Sequence, residues 1–506
     1  MDYITRIDAA DVYEDAIVTP LVPAPALSAR IGNTVLMKRE DLQPTHAFKI
    51  RGAANKVASL SPSDQSRGVV CSSAGNHAQG VARAAQRRGI EAHIVMPEAT
   101  PSIKVDAVKS LGGNVILHGR NYDEAQELAY EIADTKELCL IHPFDDPDVI
   151  AGQGTIGKEI LEQCSDLDAV FIAVGGGGLA AGVASYIRAK RPDATLIGVE
   201  PVDSASMRAA FDAGTPVELD EVGIFAESVA TKKVGAETFR LCYQLLDDVI
   251  TVSTDEICAA IKDVFETTRS LVEPAGALAL AGLKSYASEQ NWSDQTVIAI
   301  NCGANMNFER LRYISERTAT GMKTEALLAV EIPEEKGSFL KFCQAIGNRH
   351  VTEFNYRFVD SDVARIFVGL ELLSGESGLR GVIDELERHG YAVENLTSNE
   401  LAKTHVRHMI GGGPSIPDEK LFRFAFPERR GALLKFLEAV GNDWNISLFH
   451  YRNYGSDFGR VLVGVVVTEE SMESFEEHLH QLGYRYWNET LNPAYRLFLR
   501  SPTARS

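Results

Sequence analysis

Between residues 324 and 506 the chain repeats itself, and this repeat limits the fold more than any other feature. Pro333, Gly337, Lys341-Phe342 and Gly347-Asn348 recur as Pro427, Gly431, Lys435-Phe436 and Gly441-Asn442, each 94 positions further on (Pro333 to Pro427). After a one-residue insertion, Phe354-x-Tyr356-Arg357 and Arg365…Gly369 recur as Phe449-x-Tyr451-Arg452 and Arg460…Gly464, at a spacing of 95 (Arg365 to Arg460). A fixed period means one supersecondary unit built twice. In the first copy, Glu325–Ile332 reads as a strand, Gly337–Gly347 as a helix, and Val351–Phe358 and Arg365–Leu372 as a strand pair. A helix at Leu379–His389 and a strand at Tyr391–Leu396 complete a β-α-β-β-α-β order, which is ferredoxin-like. The glycine/proline-rich stretch 410–420 is a linker, so the copies occupy 324–410 and 420–506.

Residues 1–323 follow a different rhythm. Short apolar runs (Val69–Ser72, Ala92–Met96, Ala169–Val174, Leu196–Val199, Val297–Asn301) alternate with helix-like segments such as Ala78–Arg88, Ser102–Leu111 and Leu179–Ala189. Strands apolar on both faces and separated by helices predict a parallel α/β sheet. At 506 residues the chain exceeds what one core can organise, so several domains are expected. Ala169–Ile187 carries no charge and approaches spanning length, but Gly175–Gly178 interrupt it, which favours a buried strand, a turn and a helix.

The formal net charge of −20 repels phosphate backbones and anionic lipid, so neither nucleic acid nor membrane is an expected partner. Small metabolites and further protein subunits fit better. The seven cysteines are scattered, odd in number and never in a C-x-x-C pair. That argues against disulfides and a structural metal and fits a reducing cytoplasm. The segment starting Met1-Asp2-Tyr3-Ile4 has neither a basic nor an apolar signal region, so no secretory signal is expected.

Four islands carry chemistry. In Ala47-Phe48-Lys49-Ile50-Arg51-Gly52-Ala53, a lysine between an aromatic ring and small residues suits a Schiff base, although a lone lysine is ordinarily solvated. Ser72-Ser73-Ala74-Gly75-Asn76-His77 follows a strand and opens a helix, where free N–H groups suit a carboxylate; a plain N-cap reads equally well. Gly175-Gly176-Gly177-Gly178-Leu179 lies in the same context, where consecutive glycines let backbone amides close round a phosphate. Asn301-Cys302-Gly303-Ala304-Asn305 alone reads as a buried cysteine at a strand end. The glycine island also supports a rival, a nicotinamide dehydrogenase. Gly175-x-Gly177-x-x-Ala180 satisfies the loose dinucleotide fingerprint, with Glu200 at a plausible ribose distance. That rival leaves Lys49, Asn76 and Cys302 without a role.

Taken together, these four runs resemble the tryptophan-synthase-β-like, fold type II pyridoxal-phosphate enzymes, and within them the threonine/serine dehydratase branch. Glu273-Pro274-Ala275-Gly276-Ala277 matches a motif of that branch, and the doubled tail resembles the ACT-like regulatory region of biosynthetic threonine deaminases. The resemblance implies a catalytic region of two α/β subdomains over 1–323 followed by two ACT-like α+β domains. It implies pyridoxal 5'-phosphate as cofactor and no metal. Lys49 would bind the cofactor and then remove the Cα proton, Phe48 would pack on the ring, and Asn76 would bond its 3'-oxygen. Gly175, Gly176, Gly177, Gly178 and Leu179 would hold the phosphate, and Cys302 would face the ring nitrogen. Ser73, Ala74, Gly75 and Asn76 would hold the substrate carboxylate. A thiol at 302, unlike a carboxylate, would not keep the ring nitrogen protonated, which favours prompt loss of the β-hydroxyl.

The implied reaction is deamination of L-threonine, with L-serine as an alternative, to a 2-oxo acid and ammonia, at the first step of isoleucine biosynthesis. The tail implies feedback inhibition by isoleucine with valine as its antagonist, and a homotetramer in the cytoplasm. Tyr356 and Tyr451 occupy equivalent repeat positions and, with Leu433 and Leu434, are expected to line effector pockets; packing within their own sheets is the alternative.

Overall fold

The computed structural model describes residues 2–308, 310–333, 338–347, 349, 351–356, 363–372, 375–408, 416–427, 436, 444–452 and 458–499. The chain divides into two compact units, Met1–Met306 and Asn307–Ser506.

The first unit is built on two sheets. Val69–Ser72 and Ala169–Ala173 are buried at every residue, as strands covered on both faces must be. The larger sheet runs Leu21–Pro23, Thr34–Arg39, Thr296–Asn301, Ala169–Ala173, Thr195–Pro201, Asp248–Val252. Only its edge pair, Leu21–Pro23 with Thr34–Arg39, is antiparallel. The smaller sheet is wholly parallel, in the order Asn114–Leu117, Ala92–Met96, Val69–Ser72, Cys139–Leu140. Helices enter the packing with local signals in place. Asp146 caps Pro147–Gln163 ahead of a proline in its first turn, and Ser253 with Glu256 forms a capping box on Thr254–Thr268. The uncharged 169–187 stretch resolves into the strand, the glycine turn and the helix Gly178–Lys190. Among the described residues no helix is long and apolar enough to cross a membrane. The helix Gly178–Lys190 lies backbone to backbone against Pro147–Gln163: a Cβ on Gly182 would come 2.4 Å from the Ile150 carbonyl oxygen.

In the second unit each copy forms a four-stranded antiparallel sheet. The first runs Val351–Tyr356, Val363–Glu371, Glu325–Pro333, Ala392–Asn395, and the second runs Asn445–Arg452, Phe458–Val466, Glu419–Pro427, Tyr486–Asn488. The orders are identical, as the repeat requires. Each copy keeps its own core, one around Phe342 and Leu386, the other around Phe422, Phe436 and Phe475. The sequence pattern does not announce the short helices that follow the fourth strands, Glu400–Thr404 and Pro493–Phe498. They join a further apolar cluster that draws Leu327 and Phe367 of one copy together with Leu421, Leu462 and Tyr495 of the other. Asn399 and Asn492, which open the two helices, meet: Asn399 Nδ2 donates to Asn492 Oδ1 over 3.0 Å. The helix Arg310–Gly321 counts with this unit, so the division falls at 306/307 rather than at 323/324 where the pattern changes. Within this unit Arg317 forks onto Glu400 at 2.7 and 2.9 Å.

Candidate active site

Two of the four islands meet through the backbone. The Phe48 N–H donates to the Cys302 carbonyl (3.0 Å), the Ala304 N–H to His46 (2.8 Å), and Ala47 bridges Gly303. The Glu273 N–H donates to the carbonyl of Gly303 (3.1 Å), which brings in the Glu-Pro-Ala-Gly-Ala run. Lys49 is the first residue of the helix Lys49–Ala58 and Phe48 its N-cap. The Lys49 Nζ donates to the Pro143 carbonyl at 2.8 Å and lies 5.4 Å from the Phe48 ring centre and 6.0 Å from that of Phe144. The residue keeps some exposure, yet its ammonium sits among protein atoms, and that desolvation lowers it from 10.5 to about 8.

Cys302 is buried and its thiol donates to the Ala275 carbonyl (3.2 Å). Burial, reinforced by Glu273, pushes the thiol upward, so it stays neutral. Asn76 opens the helix Asn76–Arg87 directly after the turn that follows Val69–Ser72. Its amide is fully engaged: Nδ2 donates to Glu273 Oε1 (2.7 Å) and to Ser228 Oγ (3.3 Å), and Oδ1 accepts from Asn305 (2.7 Å). Ser73 accepts the Gly75 N–H on its hydroxyl (3.2 Å). The N–H groups of Ala74, Asn76 and His77 have no acceptor among the described residues, as an anion-binding helix start requires.

The tetraglycine loop comes to the same place from the larger sheet. Gly177 caps Gly178–Lys190 at φ +93°, and a Cβ there would lie 2.8 Å from Met207 and 2.9 Å from Thr238. A Cβ on Gly176 would lie 2.2 Å from the ring of Phe144, the residue beside the Lys49 acceptor Pro143. Among the described residues, no acceptor takes the N–H groups of Gly175, Gly176, Gly177 or Gly178. Four unspent donors at a helix N-terminus, with no room for side chains, fit a phosphate. The whole set therefore fits a pyridoxal phosphate: an amine of lowered basicity, a flanking ring, an amide, a neutral thiol and an anion cradle. The dinucleotide rival loses its acidic residue. Both Glu200 oxygens accept helix N–H groups, from Met207 and Arg208 at 2.8 Å each, in a fully buried position.

Behind Lys49 the helix is anchored by buried charges. The Arg51 guanidinium contacts Glu40 (2.7 and 2.8 Å) and Glu159 (2.6 and 3.0 Å). Lys38 also reaches Glu159, at 2.6 Å, and all four side chains are at most 1% exposed. Sequence reasoning gave no role to Glu273, Asn305, Ser228, Pro143 or Phe144. Glu273 and Asn305 stood inside quoted motifs, whereas Pro143 and Phe144 lie in an irregular loop and Ser228 in the single 3-10 turn Glu227–Val229, without a pattern to find. Tyr356 and Tyr451 hold equivalent registers, opposite Ile366 and Val461, in the first strands of their sheets. Their side chains, and Leu433 and Leu434 entirely, lie outside the described residues.

Comparison with known proteins agrees with this geometry. Residues 12–303 match the family of pyridoxal-phosphate dependent enzymes, and 316–406 and 411–499 each match the C-terminal regulatory domain of threonine dehydratase. The biosynthetic L-threonine dehydratase of Escherichia coli K12 is 53% identical over 98% of this chain and 97% of its own. The chain belongs to the pyridoxal-phosphate-dependent biosynthetic threonine dehydratase family. Likeness to this family extends to plants: the chloroplastic threonine dehydratase 1 of Solanum lycopersicum is 49% identical, over 98% of this chain and 82% of that protein. Among solved structures, the processed threonine deaminase isoform 2 of Solanum lycopersicum superposes with a TM-score of 0.62 at 47% identity. It covers 62% of this chain and 92% of its own. Maize serine racemase gives 0.58 at 32% identity, over 62% of this chain and 95% of that one. In this pyridoxal-phosphate enzyme the catalytic region is followed by two regulatory modules.

Proposed function

We propose that this chain deaminates L-threonine to 2-oxobutanoate and ammonia by eliminating the β-hydroxyl, with L-serine as an alternative substrate, and so opens isoleucine biosynthesis. One observation carries the reading: the Lys49 ammonium, lowered to about 8, sits among Phe48, Phe144 and Pro143, in a site whose other islands supply an amide, a neutral thiol and a phosphate cradle. The names of the relatives that match nearly the full chain support the choice of threonine.

When bound, the cofactor supplies an electron sink for the bond broken at Cα. Lys49 would attach it and, as a neutral amine, would take the Cα proton, a role that its lowered basicity suits near neutral pH. Phe48 would pack on the ring, Asn76 would donate to its 3'-oxygen, and Gly175–Gly178 with Leu179 would hold the phosphate on backbone N–H groups. Cys302, held neutral by burial, would face the ring nitrogen and would not keep that nitrogen protonated. The turn Ser73-Ala74-Gly75-Asn76 would hold the substrate carboxylate, with the unspent N–H groups of Ala74 and Asn76 as donors and Gly75 N–H fixing the Ser73 hydroxyl.

The two tail modules sense isoleucine as inhibitor and valine as its antagonist, through pockets lined by Tyr356, Tyr451, Leu433 and Leu434. The equivalent registers of the tyrosines support equivalent pockets. Coupling is then reciprocal, with isoleucine and threonine each weakening the other's binding. The reading includes a cytoplasmic homotetramer; the free state of the six described cysteines supports the compartment. The test is 2-oxo acid release from L-threonine by wild type and Lys49→Ala. Loss of the catalytic base lowers turnover by at least about 10²–10⁴-fold; near-normal release by the variant removes Lys49 from the chemistry.

A further inference from the structure

The Asn76 amide has two orientations of nearly equal shape, and its neighbours choose between them. At one side stands Asn305, whose Nδ2 donates to the Thr45 carbonyl (2.8 Å), an acceptor with nothing to donate. Asn305 therefore presents an N–H to Asn76, and the atom that receives it, at 2.7 Å, is Oδ1. The Nδ2 side then faces Glu273 Oε1 at 2.7 Å and the Ser228 hydroxyl at 3.3 Å. Glu273 is itself fixed. Its N–H is spent on the Gly303 carbonyl (3.1 Å), and the residue is 5% exposed. Gly303 is the residue that makes room, since a Cβ there would stand 2.6 Å from Glu273 Oε1. No role in the proposed chemistry above uses this buried carboxyl. Burial raises it to about 7, with the hydrogen bonds from Asn76 and Ser228 opposing the rise.

We propose that Glu273 is a positioning residue for the cofactor: it holds one N–H of Asn76 so that the other is directed at the ring oxygen. This rests on the reading that Asn76 contacts pyridoxal phosphate. Two N–H groups are available on Nδ2. The short bond to Glu273 takes one, and the longer contact to Ser228 is the one a cofactor oxygen replaces. Without the carboxyl the amide is free to rotate, or to turn its oxygen toward the ring oxygen, which repels it. Glu273→Gln still offers an acceptor to Asn76, so it preserves the arrangement while removing the charge.

The experiment titrates cofactor-free full-length protein with pyridoxal phosphate and follows its visible absorbance in wild type, Glu273→Ala, Glu273→Gln, Asn76→Ala and the Glu273→Ala/Asn76→Ala double variant. Loss of a hydrogen bond to a charged or strongly polar partner predicts affinity about tenfold weaker in Glu273→Ala, and within about twofold of wild type in Glu273→Gln. Because Glu273 acts through Asn76, the double variant should be no weaker than Asn76→Ala alone. Glu273→Gln, which keeps the shape and an acceptor for Asn76, separates loss of the contact from a folding defect in Glu273→Ala. Unchanged affinity in Glu273→Ala, or losses that simply multiply in the double variant, overturns the inference while leaving the role of Asn76 standing. Unchanged affinity in Asn76→Ala overturns the reading of Asn76 and the inference with it.

Discussion

A lysine on a solvated helix keeps its proton up to about pH 10.5; Lys49 does not, because its ammonium is desolvated beneath Phe48, Phe144 and the Pro143 carbonyl. The sign of the effect is fixed by burial. The charged form is disfavoured, so the free amine appears as pH rises through about 8. Capture of pyridoxal phosphate by cofactor-free protein should therefore accelerate as pH is raised toward about 8 and level off above it, in stopped-flow absorbance. Acceleration that continues to about pH 10 means that Lys49 titrates as an ordinary lysine. Lys49 and Phe48 were legible as candidates because a lysine and an aromatic stood beside small residues. The lowering of the amine was not legible, since Pro143 and Phe144 approach from a loop 94 residues away.

At the scale of elements, the periodic parts of the sequence spoke clearly. The strand at Ala92–Met96 falls where the apolar run placed it, and among the described residues the strands of both regulatory copies and the two helices of the first fall within a few residues of where the repeat placed them. What the pattern could not show were elements that depend on distant partners, such as the short edge strand Leu21–Pro23 and the paired helices Glu400–Thr404 and Pro493–Phe498. The same is true of the buried charges behind the site. Arg51 reads in sequence as one more helix cation, but in the fold it joins Lys49–Ala58 to Glu40 and Glu159 out of contact with water. Arg51→Ala leaves both carboxylates with Lys38 as the remaining cation, a loss of roughly 3–5 kcal/mol in stability. Urea unfolding measures it, and a change under about 1 kcal/mol would show that the cluster does not hold the helix.

At the scale of the molecule, a catalytic unit is followed by two copies of one small fold that share a core of their own. Duplication makes sense for a sensor, and its most specific consequence is separability. Tyr451→Ala should weaken inhibition by isoleucine, at least about tenfold if an effector contact is lost, while turnover without isoleucine stays near wild type. Equal inhibition in variant and wild type assigns the tyrosine to its own sheet. The most direct measurement of all is 2-oxo acid release from L-threonine by the cofactor-loaded protein, titrated with L-isoleucine. Release that isoleucine suppresses is the predicted result and joins the Lys49 site to the doubled tail. No release from L-threonine despite bound cofactor would contradict the account at its centre.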